Sequence, residues 1–118
     1  MGHPLLRMRS EKVDDPASNE VKRLVSNMIS TLNHAKGAGL AAPQVGVLKR
    51  VVIFRVPKER IKEERNSNIV DLTVLVNPKI KILTKKKEMG WEGCLSVPGL
   101  RGIVSRFYSV RYSGYTTD

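Results

Sequence analysis

Between residues 18 and 37 the apolar side chains fall at Val21, Leu24, Val25, Met28, Ile29 and Leu32, at steps of three, one, three, one and three. Such spacing is one face of an α-helix. Ser18 or Asn19 can cap its start, with Glu20 in the first turn. Lys22, Arg23 and Asn27 take the wet side. His34-Ala35-Lys36-Gly37 closes it with a basic last turn and a glycine suited to a left-handed cap. One long helix with one buried face is thereby set, and the rest of the chain has to be arranged around it.

Beyond the helix the chain reads as strands. Val51 to Val56 is β-branched and ends at Pro57, and Lys58 to Asn68 is charged, as expected for a surface loop. Leu72 to Val76 and Lys79 to Leu83 read as two strands around Asn77-Pro78. In the second, Ile80 and Ile82 alternate with Lys79 and Lys81, which leaves one face wet. Lys85-Lys86-Lys87 is expected at a hairpin tip. Ile103 to Tyr112 reads as another strand. One long helix with mainly antiparallel strands is an α+β pattern. At 118 residues the chain suits a single domain, 1–118, with one core. It stops at Tyr115-Thr116-Thr117-Asp118 directly after a strand. The single helix leaves much of a sheet face uncovered, so the domain is expected to be incomplete at its C-terminus.

Lys and Arg number 21 against 11 Asp and Glu, a formal charge of +10. That balance favours polyanions such as RNA or an anionic membrane. The aromatic residues are not interleaved with the basic clusters, so a nucleic-acid stacking platform is missing. No apolar run approaches a membrane span, and the N-terminus has no signal-peptide core. One cysteine excludes an internal disulfide.

Two short stretches carry candidate chemistry. Gly37-Ala38-Gly39-Leu40-Ala41-Ala42 fits G-x-G-x-x-A, a nucleotide-binding fingerprint. That device needs a strand before the glycines and a helix after them. Here the helix comes first and a strand follows Pro43, so the fingerprint fails on context. What remains is a run of small residues around Gln44. From spacing alone it reads first as a tight helix-to-strand connection with an exposed glutamine, and second as a place where a ligand backbone comes close. The second stretch is Glu92-Gly93-Cys94-Leu95-Ser96-Val97-Pro98. Its cysteine reads as a small buried hydrophobe, a reactive thiol or a metal ligand. Only His3 and His34 could assist it, and both are distant in sequence.

Taken together and in this order, the two stretches resemble peptide deformylase. Gly37-Ala38-Gly39-Leu40-Ala41-Ala42-Pro43-Gln44 is similar to that family's first motif, G-x-G-x-A-A-x-Q. Glu92-Gly93-Cys94-Leu95-Ser96 is similar to its second, E-G-C-x-S. The opening Gly2-His3-Pro4-Leu5-Leu6-Arg7 and the amphipathic helix also fit. The third motif, H-E-x-x-H on a C-terminal metal-binding helix, is absent from the 118 residues.

The resemblance implies a peptide-deformylase-like fold, with antiparallel sheets around the long N-terminal helix and the metal-binding helix missing. It implies hydrolytic removal of the formyl group from N-terminal formyl-methionine of new proteins. Cys94 would be one of three ligands of a divalent metal, Fe2+ first, with Zn2+, Ni2+ or Co2+ able to replace it, and the metal would activate a water. The Gln44 amide and the Leu95 backbone N–H would receive the developing oxyanion. Ala38, Gly39 and Leu40 would run beside the substrate backbone, and Trp91 and Gly93 would line its groove. Glu92 would orient the metal shell, with Arg106 as its ion-pair partner.

Partners would be formyl-methionyl nascent peptides and the ribosome, with no membrane and no specific DNA. The compartment would be the bacterial cytoplasm, a mitochondrion or a plastid. With one thiolate and no histidine pair, the 118-residue chain itself is expected to be inactive. The competing readings are a degenerate, non-catalytic copy that binds peptide or ribosomal RNA, and a redox protein using Cys94.

Overall fold

The computed structural model describes residues 2–56 and 70–118. The strand end at Pro57 and the charged segment 58–68 lie outside the described residues. The helix expected from the apolar period is α1, Asn19–Ala35. Ser18 Oγ accepts a hydrogen bond from the Val21 N–H at 3.2 Å, so Ser18 is the cap. Val21, Val25, Met28 and Leu32 are buried on its inner face. They meet Leu40, Ala42, Val51, Ile53 and Val76 in one core, with Leu24 and Ile29 at its margin.

At the end of α1 the structure corrects the expectation. The left-handed residue is Lys36, with φ 54, and not Gly37. Gly37 supplies room instead. Its N–H bonds the Leu32 carbonyl at 3.1 Å. A Cβ there would stand 2.8 Å from Leu95 Cδ1 and 3.0 Å from Leu32 Cδ1. Both distances are inside van der Waals contact, so the bare glycine lets the Leu95 and Leu32 side chains pack on the helix end without shifting.

Among the described residues there are six strands: β1 (Gly39–Ala41), β2 (Val51–Val56), β3 (Val70–Ile82), β4 (Lys87–Cys94), β5 (Val97–Phe107) and β6 (Val110–Tyr115). A four-stranded sheet runs β1-β2-β3-β6, and β4 and β5 form a separate two-stranded sheet. Every pairing within the sheets is antiparallel, so the α+β expectation holds. The core lies between α1 and the face of the larger sheet that carries Leu40, Val51, Ile53 and Val76.

Three strand expectations are corrected. Residues 37–46 are more than a turn: β1 pairs with β2 and is followed by a 3₁₀ turn, Ala42–Val45. Residues 72–76 and 79–83 belong largely to one strand, β3, with a register shift between Val76 and Lys79. Asn77 sits there at φ 53, and its N–H bonds the Arg50 carbonyl at 2.7 Å. Ile103 to Tyr112 is not one strand; the chain leaves β5 at Phe107 and enters β6 at Val110.

That last break explains the lysine run. Lys85-Lys86-Lys87 is not the tip of a hairpin, because β3 pairs with β6 while β4 departs into the other sheet. The two crossings lie side by side. The Leu83 N–H donates to the Ser109 carbonyl at 3.0 Å, and the Tyr108 N–H donates to the Lys86 carbonyl at 2.7 Å. The Lys86 and Lys87 ammonium groups sit 5.1 and 4.6 Å from the Tyr108 and Phe107 ring centres.

The face of the larger sheet opposite α1 is open. Tyr112 stacks edge-on against Phe54 at 5.2 Å between ring centres. Its cross-strand neighbour Ile80 is 73% exposed. The uncovered face anticipated for a sheet with one helix is therefore present among the described residues.

Candidate active site

The residues between Gly37 and Gly46 are placed by a chain of local requirements. β1 is the edge of its sheet, hydrogen-bonded on one side to β2 through the pairs Gly39 with Phe54, Leu40 with Ile53 and Ala41 with Val52. Arg55 secures the approach to that edge. Its Nε and Nη2 donate to the Gly37 carbonyl at 3.3 and 3.2 Å, and Nη1 donates to Asn33 Oδ1 at 2.6 Å. The 3₁₀ turn then raises Gln44 above the end of β1. Gln44 Oε1 accepts the Ala41 N–H at 2.9 Å, which orients the amide so that its NH₂ points away from β1.

What Nε2 meets is the second stretch. Cys94 ends β4, Leu95 and Ser96 form the turn, and β5 begins at Val97. Gln44 Nε2 donates to Ser96 Oγ at 2.9 Å and lies 3.6 Å from Cys94 Sγ. Residues fifty positions apart in sequence are thus brought to one amide group. The Leu95 side chain rests on Gly37. Its backbone N–H has no hydrogen-bond partner among the described residues. The Gln44 amide and an exposed thiol therefore share one rim with the turn that holds Leu95.

Between this rim and the edge of β1 lies a cleft of about 1100 Å³. Ala38, Gly39 and Gln44 line one side, and Trp91, Gly93, Cys94 and Leu95 line the other. Trp91 is 68% exposed and presents its ring to solvent. Two candidates are not brought there by their side chains. Leu40 is buried in the core, so only its backbone belongs to the open edge. The Glu92 carboxylate is occupied by Arg106, whose Nε bonds Oε2 at 2.9 Å and whose Nη2 bonds Oε1 at 2.6 Å.

That pair has an electrostatic signature. The hydrogen bond from Arg106 holds the Glu92 carboxyl below the usual carboxylate range, and Glu92 raises the guanidinium in turn. A carboxyl with a lowered folded pKa contributes stability above its ordinary value, near 4, which is lost as pH falls. Both groups are substantially exposed, so the effect is small. Glu92→Gln should lower the unfolding free energy by about 0.2–1 kcal/mol at pH 7. As pH falls through the carboxyl's lowered folded pKa, its charge and the pairing with Arg106 are lost, and urea unfolding of the two proteins should converge. Equal midpoints at pH 7 would show that the pair contributes nothing.

Reading the sequence missed three participants. Ser96 lies in the second motif but drew no role. Arg55 is a cation in a β-branched run and Arg101 lines the cleft, and neither spacing nor period marked them. The metal reading meets a limit in the ligand set. No group of three His, Cys, Asp or Glu converges among the described residues. His3 Nδ1 accepts the Leu5 N–H at 3.2 Å, and His34 lies in the last turn of α1. With Cys94 alone at the site, the residues present do not by themselves fit a resident metal.

A family model described as Polypeptide deformylase matches residues 1–118, the whole chain. The chain belongs to the polypeptide deformylase family. Peptide deformylase 1 of Bordetella pertussis is 48% identical over 118 residues, which cover 98% of this chain and 64% of that protein. A crystal structure of a class I type b peptide deformylase from Acinetobacter baumannii, bound to Met-Ala-Ser, superposes with a TM-score of 0.86. It shares 33% identity, over 99% of this chain and 74% of that one. The Plasmodium falciparum peptide deformylase complexed with an inhibitor gives a TM-score of 0.78 at 34% identity, over 98% of this chain and 64% of that one. The chain thus spans 64% of the length of the Bordetella pertussis deformylase.

Proposed function

We propose that these 118 residues form the peptide-binding and oxyanion-stabilising part of a peptide deformylase, which hydrolyses the formyl amide of N-terminal formyl-methionine. The observation that carries this reading is the meeting of the Gln44 amide with Cys94 and Ser96 at the end of an open strand edge. An extended peptide added to the free side of β1 would satisfy that edge by main-chain hydrogen bonds. Its formyl end would then lie at the rim. During attack by water, charge grows on the formyl oxygen, and by the family resemblance the Gln44 Nε2–H and the Leu95 N–H would be the donors that receive it. The bond to nitrogen breaks, formate leaves, and the peptide keeps a free amine. Family membership supports the hydrolytic class. The Met-Ala-Ser held by the Acinetobacter baumannii relative has the form of such a product.

The family resemblance adds a divalent metal, iron first, with Cys94 as one ligand; when bound, it supplies an activated water. No group of His, Cys, Asp or Glu that could complete such a ligand set is found among the described residues. Formyl-methionyl nascent chains are the proposed substrate. A bacterial cytoplasm, mitochondrion or plastid is the proposed setting, and the ribosome is a proposed partner through the +10 charge.

The test compares two polypeptides with formyl-Met-Ala-Ser and added Fe2+ or Co2+. The 118-residue chain should release no formate above the metal blank. A chimera in which it replaces the matching 64% of the Bordetella pertussis protein should release formate steadily. A folded but inactive chimera would overturn the enzyme reading in favour of a non-catalytic binding copy.

A further inference from the structure

We infer that the basic crossing between the two sheets binds single-stranded RNA, its lysines meeting phosphates and Tyr108 stacking on a base. The crossing lies where β3 leads into β4 through residues 83–86 and β5 leads into β6 through Tyr108 and Ser109. Residues 77–87 and 107–117 contain no aspartate or glutamate. They carry Lys79, Lys81, Lys85, Lys86, Lys87 and Arg111, all exposed and none in an ion pair among the described residues. Lys81 and Arg111 stand directly opposite each other in the β3–β6 register. Like charges so placed repel across the strands. A run of phosphates beside them relieves that repulsion, with release of counterions.

The aromatic residues and the basic clusters are separate in the sequence, yet the fold joins them. The bond from the Tyr108 N–H to the Lys86 carbonyl, 2.7 Å, lays the two connections side by side. Lys86 Nζ is thereby 5.1 Å from the Tyr108 ring centre, and Lys87 Nζ is 4.6 Å from that of Phe107. Tyr108 is still 62% exposed with its lysine in place, so a base can stack on the ring while the ammonium meets the adjoining phosphate. Cations alone suit any polyanion; an exposed ring set among them suits unpaired bases. This surface is separate from the cleft. Lys87 begins β4 and Cys94 ends it, which at about 3.3 Å per residue places them about 20 Å apart. The inference rests on the proposed action on nascent chains only in choosing RNA over DNA.

The experiment is fluorescence anisotropy of a labelled oligouridine of about twelve nucleotides with the 118-residue chain, between about 50 and 200 mM salt. The triple change Lys85→Gln, Lys86→Gln and Lys87→Gln should weaken binding about tenfold or more at low salt. It should also flatten the slope of log affinity against log salt by about 2. Tyr108→Leu should weaken binding about fivefold to a hundredfold with the slope unchanged, because stacking releases no counterion. It should leave binding of a duplex of the same length as it was. Arg7→Gln, Arg9→Gln and Arg23→Gln together remove the same charge elsewhere and should cost about threefold at most. Equal losses in the two triple variants would mean that net charge binds the RNA, and the inference falls. No binding of oligouridine, or an unchanged affinity in Tyr108→Leu, would also overturn it. So would tighter binding of oligothymidine DNA, or lysine-dependent binding to phosphatidylserine vesicles while oligouridine is ignored. The lysine variant built into the chimera should release formate undiminished, so failure of this surface leaves the enzyme reading standing. An inactive chimera that still binds oligouridine would leave this surface standing and remove the enzyme reading alone.

Discussion

Replacing Gln44 by leucine in the active chimera should lower kcat by about 10²–10³, the usual consequence of removing an oxyanion donor. The expectation comes from the orientation of the amide. Its oxygen is committed to the Ala41 N–H at 2.9 Å, so the NH₂ has a fixed direction, towards Ser96 and the sulfur of Cys94. A donor held in place before charge develops needs no rearrangement during reaction, and such interactions act in the transition state more than in the ground state. KM should therefore move little. Gln44→Glu is the informative companion. It keeps an acceptor for the Ala41 N–H but presents a carboxylate oxygen where the donor stood, so it should be at least as slow as Gln44→Leu while remaining better folded. A fall in kcat below threefold in Gln44→Leu would remove Gln44 from the role.

How much of this was legible in the sequence depends on how local each cause is. The helix was readable because its period and its Ser18 cap are contained in one stretch, and Val21, Val25, Met28 and Leu32 are buried as the period requires. β1 was not readable. Gly39-Leu40-Ala41 has no strand character of its own and is extended because β2 offers it a hydrogen-bonding edge. The pairing of β3 with β6 escaped for the same reason, since it skips two intervening strands. Proline at 78 suggested a break, whereas β3 runs through it with a register shift at Asn77.

The site divides similarly. Gln44 and Cys94 gained meaning only when two motifs were set side by side, and the meeting of the Gln44 amide with Cys94 and Ser96 is a property of the folded chain. Gly37 was expected to supply a left-handed turn. What it supplies instead, room for the Leu95 side chain, concerns a residue far along the sequence. In each case the local pattern named the residue, and the distant partner determined what the residue does.

Asn77 is the sharpest example of a distant partner, and it carries the largest stability effect expected in the chain. Its Oδ1 accepts the Val13 N–H at 2.8 Å and its Nδ2 donates to the Val13 carbonyl at 2.8 Å. One side chain thereby takes the place of a neighbouring strand for Val13, which is buried in the core. Asn77 is itself only 9% exposed, so water cannot replace what its removal would leave unpaired. Stranding a buried backbone donor and acceptor costs about 1–3 kcal/mol each, and shared relaxation brings the expected loss for Asn77→Ala to about 2–4 kcal/mol. Alanine at φ 53 adds about 1 kcal/mol of backbone strain. Asn77→Gly loses the same two hydrogen bonds without that strain, so it should be destabilised less than the alanine variant. Urea unfolding of the three chains, with hydrogen exchange at the Val13 amide, separates the terms. Faster exchange at Val13 should appear in both variants, because the bond is lost in both. A loss below about 1 kcal/mol in Asn77→Ala, or unchanged exchange at Val13, would mean that the side chain does not anchor the N-terminal segment.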